Sequence, residues 1–149
     1  MASVIEPVPT NFAVVDPSWF SEATIAKVTF SEPSYWFFGF SSGTSISVEC
    51  LWRVSDSHMI ILTSEDHRQL FGLPAPVDAA SQAMELLAQC TVTEFSLRPE
   101  TLDISIKFSG GQRLEILVTS AGYESWQIVS PKRKHIIAQG GGQLCTYTE

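Results

Sequence analysis

"TSISVECLWRV", Thr44 to Val54, is the stretch on which the fold turns. Ile46, Val48, Cys50, Trp52 and Val54 alternate with Ser45, Ser47, Glu49 and Arg53, the period of two expected of a strand with one buried face. That period points Cys50 into the core. Outward from it lie "TIAKVTF" and "YWFFGF" on one side and "HMIIL" on the other, separated by the turn formers "SEPS", "SSG" and "SDS". Links of a few residues between successive strands force antiparallel pairing, because a parallel crossover needs a dozen or more. In "SYWFFGF", alternation turns Trp36, Phe38 and Phe40 inward and Tyr35 and Phe37 toward the N-terminal arm, the alternative being an exposed aromatic patch that marks an interaction site.

Further along, "PVDAASQAMELLAQC" changes period. Asp78 is placed to cap a helix whose Ala80, Ala83, Met84 and Leu87 recur at helical spacing, with Pro76 where a missing N–H costs little. Small residues on this face let the helix axis approach a sheet closely, so the helix is expected on a sheet rather than on another helix. Strand text resumes after Cys90. Its clearest part is a hairpin in which Leu102, Ile104, Ile106 and Phe108 alternate before Gly110-Gly111, and Leu114, Ile116 and Val118 alternate after it, as a type I′ turn would join them. The fold class expected is α+β: an antiparallel β-sheet of about nine short strands with one main helix packed on it, in the order four strands, helix, five strands. Residues 1–20, with Pro7, Pro9 and Pro17, read as an extended arm without regular structure that packs through Phe12, Trp19 and Phe20.

At 149 residues the chain has the size of one domain, 1–149, and 44% hydrophobic and 11% aromatic residues supply a core. A net charge of −7 disfavours nucleic acid and anionic membranes as partners and favours a basic protein. The odd count of three cysteines fits free thiols in a reducing compartment. With no signal-peptide pattern and no run of ~18 apolar residues, the location expected is cytoplasmic.

"AGYESWQIVS", Ala121 to Ser130, is followed by the glycines of "AQGGGQL". With Tyr123, Glu124, Trp126, Gly141 and Gly142 in these places, and "LDISIKFSGGQRLEILV" before them, the text resembles the C-terminal signature of a widespread bacterial family of small proteins of uncharacterised function. It is also similar to small β-rich immunity proteins of bacterial toxin systems, which bind a cognate toxin and block its site. What the resemblance implies is a binding protein without chemistry of its own. On a strand, Trp126 and Ile128 read as core, while Glu124 at the sheet margin either accepts backbone N–H bonds or faces a partner.

Catalytic and metal chemistry find little support in the residues. In "TSEDHRQLFGLPAP", Thr63 to Pro76, the consecutive Glu65, Asp66 and His67 point different ways and do not converge on one ion unless ligands such as His58 or His135 arrive from elsewhere. The stretch reads instead as a loop anchored on the core by Phe71 and Leu73, presenting its acids to solvent or to a partner. No cysteine sits beside a cation or at a helix N-terminus, and no Gly-x-Ser-x-Gly elbow occurs. "GGGQ" lacks the lysine and helix of a phosphate loop, and Lys132, Arg133, Lys134 and His135 read as a solvated hairpin tip.

The expectation is therefore a non-catalytic binder, an immunity protein or inhibitor of a basic toxin or enzyme, needing no cofactor or metal. Glu65, Asp66, Glu94, Glu100 and Glu124 are the expected partner-binding acids. The alternatives are a small enzyme or ligand-binding protein with a pocket between sheet and helix, and a homodimeric structural protein.

Overall fold

The computed structural model describes residues 6–7 and 14–149. Its strands are β1 (Glu6–Pro7), β2 (Ile25–Ser31), β3 (Tyr35–Phe40), β4 (Ser45–Val48), β5 (Leu51–Ser55) and β6 (Ile60–Thr63), then helix α1 (Ala79–Leu87). After the helix come β7 (Val92–Leu97), β8 (Ile104–Phe108), β9 (Arg113–Leu117), β10 (Trp126–Val129), β11 (Lys134–Gln139) and β12 (Gln143–Thr148). The architecture is α+β and antiparallel, as the short links require, but it has two sheets where one was expected. One is seven-stranded, β1-β12-β11-β10-β4-β3-β2, and the other five-stranded, β6-β5-β9-β8-β7.

The second sheet arises inside the stretch that read as one strand. Thr44 to Val54 breaks at Glu49 and Cys50, so that β4 pairs with β3 and β10 while β5 pairs with β6 and β9. The Glu49 N–H donates to the Ser125 carbonyl at 2.8 Å and holds the corner. Alternation survives the bend: Ile46, Val48, Trp52 and Val54 are all fully buried, and Cys50 at the corner is half-buried rather than core. A strand that changes sheets at a bend in this way is how orthogonally packed sheets turn a corner. The sheets meet again where Thr24 bridges Thr91 and the Val92 N–H donates to the Ala23 carbonyl at 2.8 Å.

With β1 formed from the arm, the bent segment divided and six strands after the helix, the order is six strands, helix, six strands rather than four, helix, five. The arm is also more regular than expected, since Asp16 caps a 3-10 turn over Pro17–Trp19 and Glu6–Pro7 pairs with β12. Phe12 lies outside the described residues. Phe20 is fully buried and stacks on Phe95 at 4.3 Å with Phe40 edge-on at 5.2 Å. The "SGGQ" hairpin is a longer connection than a type I′ turn: only Gly111 has positive φ (+90°), and the Phe108 N–H reaches the Gln112 carbonyl across it.

Side chains from both sheets and from α1 form one buried cluster. Trp52 stands at near right angles to Trp36 (5.0 Å) and Phe38 (5.4 Å), and its buried Nε1–H has no oxygen or nitrogen acceptor among the described residues, a geometry suited to an N–H facing π electrons. Helix α1 packs on β2 and β6, the edge strands of the two sheets, and so covers two ladders that would otherwise be open to pairing. Asp78 accepts from the Ser81 N–H at 3.2 Å, the cap its position predicted, and Ala79, Ala83 and Leu87 are buried. No helix among the described residues is long and apolar enough to cross a membrane.

Candidate functional site

The loop between β6 and α1 is closed at its base and open at its tip. Thr63 and Asp66 make a reciprocal capping box around a 3-10 turn, Ser64–Asp66. The Ala79 N–H donates to His67 Nδ1 at 3.1 Å, so the neutral imidazole carries its proton on Nε2. Above these, the Arg68 N–H donates to the Val77 carbonyl (2.8 Å) and the Val77 N–H to the Gln69 carbonyl (2.9 Å). A turn closes the tip, with the Leu73 N–H on the Leu70 carbonyl at 2.7 Å and positive φ at both central residues, Phe71 (+48°) and Gly72 (+76°), as in a type I′ turn.

Phe71 and Leu73 therefore do not anchor the loop on the core. They are 67% and 50% exposed, and Leu70 beside them 54%. The anchoring falls to His67, half-buried against Phe30 (4.4 Å between ring centroids) and Trp36 (5.1 Å), and to Val77, which is buried. A phenylalanine held in the left-handed region, with its ring in solvent, is strained without a packing reward.

Beside the loop base lies a cleft of about 420 Å³ whose lining includes Phe30, Trp36, Glu49, Cys50, Glu65 and His67. It forms because the β4–β5 corner, the turn after β2 and the 3-10 turn meet there. Burial, reinforced by Asp103 and Glu49, pushes the Cys50 thiol up to about 12, so it stays protonated and a poor nucleophile. Glu124, in the loop before β10, adjoins Glu49. Partial burial, a hydrogen bond with Glu49 and the repulsion between the two push the Glu124 carboxyl above its ordinary value.

The five expected partner-binding acids fall into two groups. Glu65 lines the cleft and Glu124 is linked to it through Glu49, with Tyr123 beside it 81% exposed. Asp66 is turned inward, accepting the Thr63 N–H at 2.9 Å. Glu94 pairs with Lys107 across β7 and β8 (3.5 Å), and Glu100 pairs with Arg98 (3.7 Å). The Glu100 turn does pack near the Glu124 loop, since its carbonyl lies against Gly142, and Gly140 lies against Gly122. Glu49 was read only as a solvent-facing strand position; the bend that brings it beside Glu65 and Glu124 leaves no mark in an alternation that runs through it.

Away from the cleft, His135 is buried rather than part of a solvated tip. It stacks on Tyr147 at 4.2 Å, contacts Gln127 through Nδ1 and meets Glu149 through Nε2 at 2.9 Å. Glu149 also accepts from Arg133 at 3.1 Å, and that bond holds its carboxyl below the ordinary range. His58, His67 and His135 thus have separate surroundings, and among the described residues no three His, Cys, Asp or Glu side chains gather as a metal would need. No known protein family, curated protein or solved structure matches the chain.

Proposed function

We propose that the chain is a non-catalytic protein-binding module, an immunity protein or inhibitor that occludes a basic toxin or enzyme. The observation that carries this reading is the strained, exposed tip Leu70-Phe71-Gly72-Leu73 on a base closed by hydrogen bonds. Residues held in sparsely populated backbone regions cluster at sites of function, because the strain must be maintained by the surrounding structure. A rigid aromatic and two leucines offered this way supply a desolvated anchor whose ordering cost is met before the partner arrives. Glu65, one short loop away, and Glu124 with Glu49 add negative charge that steers a basic surface toward the tip. The overall charge of −7 acts in the same direction. Tyr123-Glu124-Ser125-Trp126 resembles a signature of small proteins of uncharacterised function, and the chain's likeness to small β-rich immunity proteins is what first suggests this role.

The test is paired affinity capture from the cells that naturally express the protein, with wild type and a Phe71→Asn, Leu73→Ser double variant as baits at moderate salt. Wild type is expected to retain a stoichiometric basic protein that the variant loses. Equal recovery by both baits, or no stoichiometric partner for wild type, would overturn the reading.

A further inference from the structure

Among the described residues, the fold leaves one long sheet edge open. Helix α1 covers β2 and β6, and β1, which ends its own sheet, is two residues long and finishes in a proline without an N–H. The remaining edge is β7. Its hydrogen bonds show which of its backbone groups are unpaired. Val92 turns away from β8, donating to the Ala23 carbonyl (2.8 Å) and accepting from the Glu22 N–H (3.0 Å). The bulge between Val92 and Glu94 then shifts the alternation by one. At the far end Arg98 faces the β8 side, where its N–H donates to the Asp103 carbonyl and its carbonyl accepts from the Leu102 N–H, both at 2.8 Å. In the regular stretch between, Ser96 therefore faces β8, while Phe95 and Leu97 each turn an N–H and a C=O outward.

No strand or loop among the described residues meets those outward groups, because the chain that covers Val92 leaves the edge at Ser21 for the 3-10 turn at Pro17–Trp19. A groove of about 370 Å³ remains there, with Pro17, Ser18 and Ser21 on one side and Thr93 and Phe95 on the other. The side chains of Phe95 and Leu97 lie half-buried on the core face, Phe95 fixed by its stack on Phe20. Glu94, Ser96 and Arg98 stand exposed on the opposite face, with unlike charges at equal distance on either side of the serine.

We infer that β7 pairs antiparallel with β7 of a second copy of this chain, about a two-fold axis through Ser96, joining two five-stranded sheets into one. This register sets Phe95 opposite Leu97 of the second copy and Leu97 opposite its Phe95. Every outward N–H and C=O of one copy then meets its complement on the other, and the apolar face continues across the axis. Glu94 falls opposite Arg98 of the second copy, and by symmetry the match occurs twice. Their partners within the chain, Lys107 for Glu94 (3.5 Å) and Glu100 for Arg98 (3.7 Å), are exposed pairs that exchange readily. Neighbouring registers lose these features. Centring the axis on Phe95 sets Leu97 against Thr93, and centring it on Leu97 sets Phe95 against Pro99, which has no N–H, and Glu94 against Glu100. The inference does not rest on the protein-binding reading: the Phe71 tip follows β6, at the other edge of this sheet, and stays free on both copies.

The experiment is sedimentation equilibrium of the full chain from about 10 μM to about 1 mM, with amide hydrogen exchange read by NMR across the same range. One short strand pair makes a small interface, so a monomer–dimer Kd on the order of 100 μM is expected. Exchange at the Phe95 and Leu97 amides should slow as concentration rises, while the Ser96 amide, already facing β8, changes little. Ser96→Lys, which brings two ammonium groups together at the axis, and Glu94→Arg, which sets arginine against arginine, should each weaken association about tenfold. Adding Arg98→Glu to Glu94→Arg should restore it to within about threefold of wild type. These side chains are exposed, and urea unfolding at low concentration will report that each variant keeps the fold. A monomer throughout the range, a dimer that Ser96→Lys leaves intact, or a charge swap that restores nothing would overturn the pairing. Phe95 and Leu97 amides protected only on adding a partner recovered by the capture experiment would give the edge to that partner's strand and refute self-pairing.

Discussion

Gly140→Ala and Gly122→Ala modify two glycines in contact with each other, yet they should move stability in opposite directions. A methyl group built on Gly140 would sit 2.5 Å from the backbone Cα and carbonyl carbon of Gly122, a distance no rotamer change relieves, because the obstacle is main chain. The loops that would have to separate carry Ser120 to Glu124 on one side and Gly140 to Gly142 on the other. Overpacking of this kind costs about 1–3 kcal/mol. A methyl on Gly122, by contrast, meets nothing within 4 Å, and Gly122 is not among the positive-φ glycines. There alanine removes unfolded-state freedom and gains about 0.4–1 kcal/mol. For a chain of this size, each kcal/mol moves Tm by about 2–4 °C. Gly140→Ala should therefore melt roughly 2–12 °C lower, and Gly122→Ala slightly higher. Urea titration of both, with the m-value checked for constancy, measures the difference directly. Equal stability of the two variants would refute the close approach of these loops, and with it the placing of the Glu100 turn near Glu124.

Three further outcomes are expected. Trp126→Phe removes the indole N–H that donates to the buried Leu102 carbonyl at 2.8 Å. It should cost about 1–3 kcal/mol in urea unfolding, and an unchanged midpoint would remove that bond from the account. Phe71→Asn should leave stability within about 0.5 kcal/mol of wild type or raise it, because asparagine tolerates positive φ and the ring packs on little; a large loss would mean that the tip supports the core. Glu124→Gln should stabilise near neutral pH. The carboxyl's value is raised on folding, so its contribution is favourable below the ordinary value and is lost as pH rises through the raised one, where Glu49 and Glu124 repel. The gain should be a few tenths of a kcal/mol at neutral pH and vanish near pH 4; a gain independent of pH would have another cause.

Sequence periodicity reported local facts well and turned corners badly. The cap at Asp78, the inward set Trp36, Phe38 and Phe40, and the hairpin around Gly110-Gly111 were legible because each depends on neighbours a few residues away. The bend at Glu49–Cys50 was not, because the buried face continues through it and only the pairing partners change. That hidden corner also concealed the cleft, whose carboxylates come from a strand link and a 3-10 turn, with Glu124 of a distant loop adjoining the first of them. Phe71 and Leu73 misled for a different reason: composition marks them as apolar, and in most loops apolar residues anchor. What reverses that inference is the run of hydrogen bonds below them, made by main-chain groups that carry no sequence signature. His135 erred in the other direction, since a basic run says nothing of the Tyr147 ring that covers one of its members.

The bent segment also has a history during synthesis. β4 finds β3, and β5 finds β6, within a few residues, but their second neighbours are β10 and β9, residues 126–129 and 113–117. As the chain leaves the ribosome, residues 45–55 therefore stand as two unsatisfied edges, rich in Ile, Val, Leu and Trp, until the last quarter of the protein has emerged. Pairings of such long sequence separation close slowly. The corner that joins the two sheets is thus the place where a nascent chain is most exposed to self-association, and where a chaperone that holds extended apolar segments would have its longest opportunity.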